Sequence, residues 1–228
     1  MTVVSPALCI RQCPLTINYA QVLENNTYAV LFSGSGDAFG TRLPNEIFTL
    51  SGMQGNGGDI CFTSDVLGTN QLNCEIAYIN NTGNHAEIWV SVPLVTTNSS
   101  SNTIYVWYGS KSGTLTQPAV GSSFGQYAVW TAVTPTSSVV AALHFNQTGT
   151  PTSWLDSTSN ANHAVNTGSA TATTGQIYNA ASFNGSTQYS KIAYAANLSV
   201  SNLTLQCWHQ QTTATMDATA KERTQYHS

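Results

Sequence analysis

Two short runs constrain the fold of this 228-residue chain more than anything else in it. Glu87-Ile88-Trp89-Val90-Ser91-Val92 alternates, with Ile88, Val90 and Val92 on one face, and Pro93 closes it. Thr103-Ile104-Tyr105-Val106-Trp107-Tyr108 is dense in β-branched and aromatic residues and stops at Gly109. Period-two alternation suits a strand with one buried face; a helix needs its apolar stripe every 3.6 residues. The stretch 96–102 between them is polar and turn-forming, so the spacing predicts an antiparallel pair. Further strands are predicted at 15–19, 28–33, 59–63, 74–79, 139–145, 180–183, 189–193 and 203–208. No dozen-residue stretch carries helical periodicity. Many short strands parted by Gly, Asn and Ser loops predict an all-β chain.

Composition narrows the function classes. Only 7% of residues are charged and the net charge is −4, while 41% are hydrophobic. That excludes the charge-rich disordered class and the Glu/Lys-flanked coiled coil. Arg11, Arg42, Lys111, Lys191, Lys221 and Arg223 are scattered, whereas a phosphate backbone calls for clustered cations. Nucleic acid is therefore not an expected partner. No apolar run reaches the ~18 residues of a membrane span.

The start of the chain, through Cys9, shows neither the basic nor the apolar segment of a secretory leader. The expectation is a leader outside this sequence or another exit from the cell, such as a virus particle. Asn-x-Ser/Thr triplets at Asn25, Asn80, Asn98, Asn146, Asn184, Asn197 and Asn202 are read as composition.

There are five cysteines. Cys61 and Cys74 flank a strand–turn–strand stretch in which they could face each other within disulfide reach, or remain two free buried thiols. No spacing has the paired Cys-x-x-Cys form of a zinc site.

Domain organisation is read at 131–138, a polar stretch with Pro135. It separates two units, 1–133 and 134–228, each expected to be an antiparallel, jelly-roll-like β-sandwich.

Three segments of the first unit form a recognisable pattern: Gly58-Asp59-Ile60-Cys61-Phe62-Thr63-Ser64-Asp65, Gln71-Leu72-Asn73-Cys74-Glu75-Ile76, and Ile88 to Pro93 together with Ile104 to Gly109. Together they resemble the domain of unknown function 2341 of bacterial, archaeal and phage surface proteins. In that family an apolar residue usually stands at the position of Cys61 and a His at that of Cys74. Both are Cys here, which favours their pairing.

The second unit resembles the start of a laminin-G-like (concanavalin A-like) domain. The resemblance is carried by Leu143-His144-Phe145, by Leu155-Asp156-Ser157-Thr158-Ser159-Asn160-Ala161-Asn162-His163, by Gly175 to Gly185, and by Leu203 to Trp208. Such a domain runs longer than the sequence after the boundary. The second sandwich is therefore expected to be incomplete, either truncated or finished by a neighbouring subunit, with open edges and an uncovered apolar face.

Concanavalin A-like folds include glycosidases, which use two carboxylates flanking the scissile bond. Glu24, Asp37, Glu46, Asp59, Asp65, Glu75, Glu87, Asp156, Asp217 and Glu222 include no two acids at i, i+2 or i, i+4 within a strand. That pattern argues against hydrolysis, although acids from separate strands could still converge. No Gly-x-Ser-x-Gly elbow is present, and His144 beside Phe145 is expected to hold a hydrogen-bonded structural role. Asp156 and Asn160 lie in an oxygen-rich loop that could hold calcium, although Asp156 is better suited to capping its own turn. No other cofactor is expected. Trp89 and Trp107 are the candidates for stacking on sugar rings. The expected function is a non-catalytic surface or virion protein for adhesion, carbohydrate contact or particle decoration, meeting glycans or neighbouring subunits and able to self-associate. The alternatives are a fragment of a secreted adhesin and, in another class, a polysaccharide hydrolase.

Overall fold

The structure, a computed structural model, describes residues 2–18, 25–35, 40–49, 52–95, 97, 102–111, 113–131, 139–176, 178–199, 201 and 204–210. Up to residue 131 the strands are β1 (Thr2–Val3), β2 (Cys9–Thr16), β3 (Asn26–Ser33), β4 (Thr41–Arg42), β5 (Cys61–Thr63), β6 (Gln71–Leu72), β7 (Cys74–Asn80), β8 (His85–Val95), β9 (Thr103–Ser110) and β10 (Leu115–Thr116). A six-residue helix, α1 (Gln126–Thr131), follows. Then come β11 (Ser153–Trp154), β12 (Ala164–Thr167), β13 (Thr171–Thr174), β14 (Asn179–Ser182) and β15 (Tyr189–Ile192). The described residues are all-β apart from α1 and single 3-10 turns. The proposed boundary at 133/134 lies outside the described residues.

Two four-stranded sheets carry the first part, in the orders β2-β9-β5-β6 and β4-β3-β8-β7. They face each other across one core. Leu15, Phe62, Ile104 and Val106 come from one sheet, and Phe32, Ile88, Val90 and Val92 from the other. Phe32 and Phe62 meet across the gap with ring centroids 5.6 Å apart. Each fully buried side chain of this size contributes about 1.5–3 kcal/mol, so this layer dominates the stability of the fold.

Two pairing expectations are corrected. β8 and β9 are not partners: β8 pairs with β3 and β7, and β9 with β2 and β5. The polar link between them crosses from one sheet to the other. Pro93 also fails to end its strand, which continues to Val95. Pro93 and Leu94 lie opposite the single residue Thr27, in a bulge between the Asn26–Val95 and Tyr28–Val92 pairs. A bulge is where a residue without an N–H is tolerated inside a sheet.

The later part is built from smaller pieces, an antiparallel β11-β12-β15 sheet and a β13-β14 pair. Its buried core is Trp154, Ala164 and Ala170, with Leu143, Phe145, Ala181 and Ile192 packed against it. The strand predicted at 139–145 is absent. Leu143 makes one bridge, to Asp156. Phe145 turns the chain with φ of 54°, a conformation costly for a bulky side chain, and its ring packs 5.4 Å from that of Trp154. Leu155, Val165, Phe183, Tyr189 and Tyr194 are exposed. Of the strand predicted at 203–208, residues 204–208 are irregular, and residue 203 lies outside the described residues.

Candidate functional site

Alternation along β7 and β8 sends Cys74, Ile76, Ile88 and Val90 into the core, and Glu75, Glu87 and Trp89 to the other face. Glu75 pairs directly with Trp89, and Tyr78 with Glu87, across a bulge at Ala77. Glu75 and Glu87 are therefore neighbours on one sheet face, although twelve residues apart in sequence. Neither is left in water. Trp130 of α1 covers them from one side, and His144 and Ser157, from beyond the polar stretch, cover them from the other.

Every contact in this cluster has short, well-formed geometry. His144 Nε2 lies 3.2 Å from Glu75 Oε2, and Nδ1 lies 2.9 Å from Glu87 Oε1. Trp130 Nε1 donates to Glu75 Oε2 at 2.8 Å, and Ser157 Oγ to Glu75 Oε1 at 2.6 Å. Trp89 Nε1 donates to Glu87 Oε1 at 3.0 Å. The His144 ring sits 5.6 Å from that of Trp89 and 5.7 Å from that of Trp130. Only a protonated imidazole donates from both nitrogens. Burial opposes that charge, but the hydrogen bonds to Glu75 and Glu87, with the charges of both, outweigh it and push His144 up to about 9. The result is an imidazolium held between two carboxylates with its donors fully used. Nearby, Gln126 Nε2 donates to the Ser157 carbonyl, Asn146 Nδ2 to the Ala77 carbonyl at 2.9 Å, and Tyr178 stacks on Tyr78.

The predicted site residues fare differently. Trp89 is covered by Trp130 and His144, so it is not an open sugar platform. Trp107 is half-buried, packs against the cluster of Val4, Cys9, Cys61 and Leu115, and donates from Nε1 to Thr63 Oγ1 at 2.8 Å. Asp156 spends its carboxylate on protein donors. Oδ1 accepts from the Ala142 and Thr158 N–H groups, and Oδ2 from Thr158 Oγ1 and the Asn162 N–H. Asn160 turns its Nδ2 to the Val140 carbonyl at 3.0 Å. The loop is closed by its own hydrogen bonds, and among the described residues no group of three His, Cys, Asp or Glu side chains is arranged to hold a metal.

The expected Cys61–Cys74 bond is corrected: both thiols are free. β5 does turn back into β6, but Cys74 begins β7 in the opposite sheet. Its side chain enters the main core, while Cys61 packs in the separate cluster with Cys9. Burial, then the Glu75 charge, pushes the Cys74 thiol up to about 12.

A cavity of about 230 Å³ lies between the β8 and β9 ends, lined by Ser64, Val92, Pro93, Val95, Asn102, Thr103 and Ile104. None of these side chains titrates. Sequence reasoning missed the Glu75–Glu87 meeting because it searched along single strands. Drawing the 74–80 and 85–95 hairpin in register would have found it.

Residues 56–124 match the family model described as a domain of unknown function, DUF2341. The matched stretch runs from the turn before β5 to just before α1, so it holds both carboxylates but not the imidazole between them. No curated protein and no solved structure matches this chain.

Proposed function

We propose that this chain is a non-catalytic β-sandwich protein displayed on a cell surface or virion, serving adhesion, carbohydrate contact or particle decoration. One observation carries the reading. The converging acids, Glu75 and Glu87, are buried and bonded to His144, Trp130, Trp89 and Ser157, with relative exposures of 6% for each acid. A glycosidase pair needs one carboxyl group free to protonate a leaving group and room for a sugar between the two. Here the space between them is filled by an imidazole ring, which suits a joint rather than a reactive centre. A rigid sandwich carrying polar loops is a suitable platform for recognition. The resemblance of the later part to a laminin-G-like domain belongs to the same reading, as does the option that this is part of a longer secreted adhesin.

The convergence of the two acids does favour one rival, a polysaccharide hydrolase. One experiment separates them: the chain is tested on a glycan array and on a panel of polysaccharides for reducing-sugar release. Glycan binding without hydrolysis supports recognition. Sugar release that Glu75→Gln abolishes overturns the non-catalytic reading. Silence in both assays removes carbohydrate contact and leaves the structural role alone.

A further inference from the structure

Cys74, at the start of β7, faces a side-chain amide. Its thiol is buried in the main core and donates to Gln117 Oε1 at 3.5 Å. Gln117 follows β10 and precedes Pro118, which favours extended backbone there. Gln117 Nε2 donates to the Gly57 and Ile60 carbonyls at 2.8 and 2.7 Å. Only the NH2 end of an amide can serve two carbonyls, so the oxygen is fixed toward the sulfur. A C=O bond adds about 1.2 Å, so the amide carbon, Cδ, lies no more than about 4.7 Å from Sγ. Closing by about 1 Å reaches the reacting distance of about 3–3.5 Å. Cys9 and Cys13 donate instead to backbone carbonyls, whose amides cannot leave without cutting the chain.

We infer that Cys74 and Gln117 condense into an internal thioester, a covalent link between β7 and the segment after β10. Sγ attacks Cδ. The Sγ–Cδ bond forms, the Cδ–Nε2 bond breaks, and the thiol proton leaves on the nitrogen as ammonia, so no oxidant or reductant is needed. The thiol already donates to Oε1, which gives its proton a path onto the amide as the new bond forms. No free thiolate has to exist in a core that holds this thiol protonated. The Gly57 and Ile60 carbonyls accept from the nitrogen as it gains positive charge. An amide is the more stable acyl group, so escape of ammonia to solvent draws the exchange forward, and burial keeps water from hydrolysing the product. The bond gives the chain an electrophilic acyl group, reactive toward amines once the core opens. It does not depend on the surface or virion reading.

The test is the mass of the full chain, purified under native conditions and aged for several days. A species lighter than the sequence by one ammonia is expected. In denaturant, methylamine should open it, adding one methylamine and freeing a Cys74 thiol that iodoacetamide then alkylates. Cleavage after Lys111 should leave the peptides that hold Cys74 and Gln117 joined until methylamine is added. Cys74→Ala should restore the full mass, and Cys61→Ala should keep the loss. The full sequence mass, with Cys74 alkylated directly in denaturant, overturns the inference. So does an ammonia loss that maps wholly to Asn56-Gly57 or Asn184-Gly185, where a succinimide would form. The mass is read on the unsubstituted chain, so a variant that fails to fold leaves the test intact.

Discussion

The part up to residue 131 and the part from 139 onward solve the same problem with unequal means. The first buries large side chains from two facing sheets, Phe32, Phe62, Ile88 and Val106 among them. The second buries one tryptophan and two alanines and leaves Leu155, Val165 and Tyr189 in water. A core that small does not offset the entropy of ordering the strands around it. Its order is borrowed from the first part through His144, Ser157, Asn146 and Tyr178. The polar joint is thus a condition of folding for one side and an accessory for the other.

The sharpest way to break this asymmetry is Glu75→Ala, which strips His144, Trp130 and Ser157 of a common acceptor. Removing one side of a buried ion pair costs about 3–5 kcal/mol, and the upper end is expected because three donors are orphaned. In denaturation followed by hydrogen exchange, the later strands should lose protection while β3, β8 and β9 keep theirs. Simultaneous loss everywhere would mean that the two parts are one cooperative unit.

Trp154→Ala should cost about 4 kcal/mol and act in the same direction. It should melt β11, β12 and β15 while near-ultraviolet signals from the Phe32–Phe62 layer persist.

Acidity gives a gentler handle. His144 titrates near 9 when folded, above its ordinary 6.5, so its stabilisation is complete below 6.5 and is lost as pH rises through about 9. The later strands should melt earlier at about pH 10 than at about pH 6. His144→Gln should be weaker at the lower pH and should flatten the slope.

Asn146→Ala should have the smallest effect, about 1 kcal/mol for one hydrogen bond. Exchange at β7 should rise before that at β8.

Period-two alternation made β8 and β9 legible because each has one face in a deep core. It also made Trp89 stand out from Ile88, Val90 and Val92. It could not reveal which sheet each strand joins, because adjacency in sequence does not fix adjacency in space when a link crosses the sandwich. The run 139–145 misled for another reason. Its apolar residues are called by Trp154 and by the neighbouring sheet rather than by a ladder, and Phe145 bends to meet that demand. Glu75 and Glu87 were weighed only by their spacing within single strands, and they meet because β7 and β8 pair in register. His144 was read correctly as hydrogen-bonded, but its partners lie more than fifty residues away, beyond the reach of any local pattern. The Cys61–Cys74 pairing rested on a hairpin whose last pair is Phe62–Leu72, two residues short of Cys74.

The bulge at Ala77 has a consequence for assembly. β7 is the last strand of its sheet, and a free margin there would invite another copy to add on, hydrogen bond by hydrogen bond. Asn146 occupies the Ala77 carbonyl and Tyr178 lies flat on Tyr78, so the margin is covered at those two residues from within the same molecule. A second copy adding to this sheet at Ala77 would have to displace both contacts before its first hydrogen bond to β7 could form there.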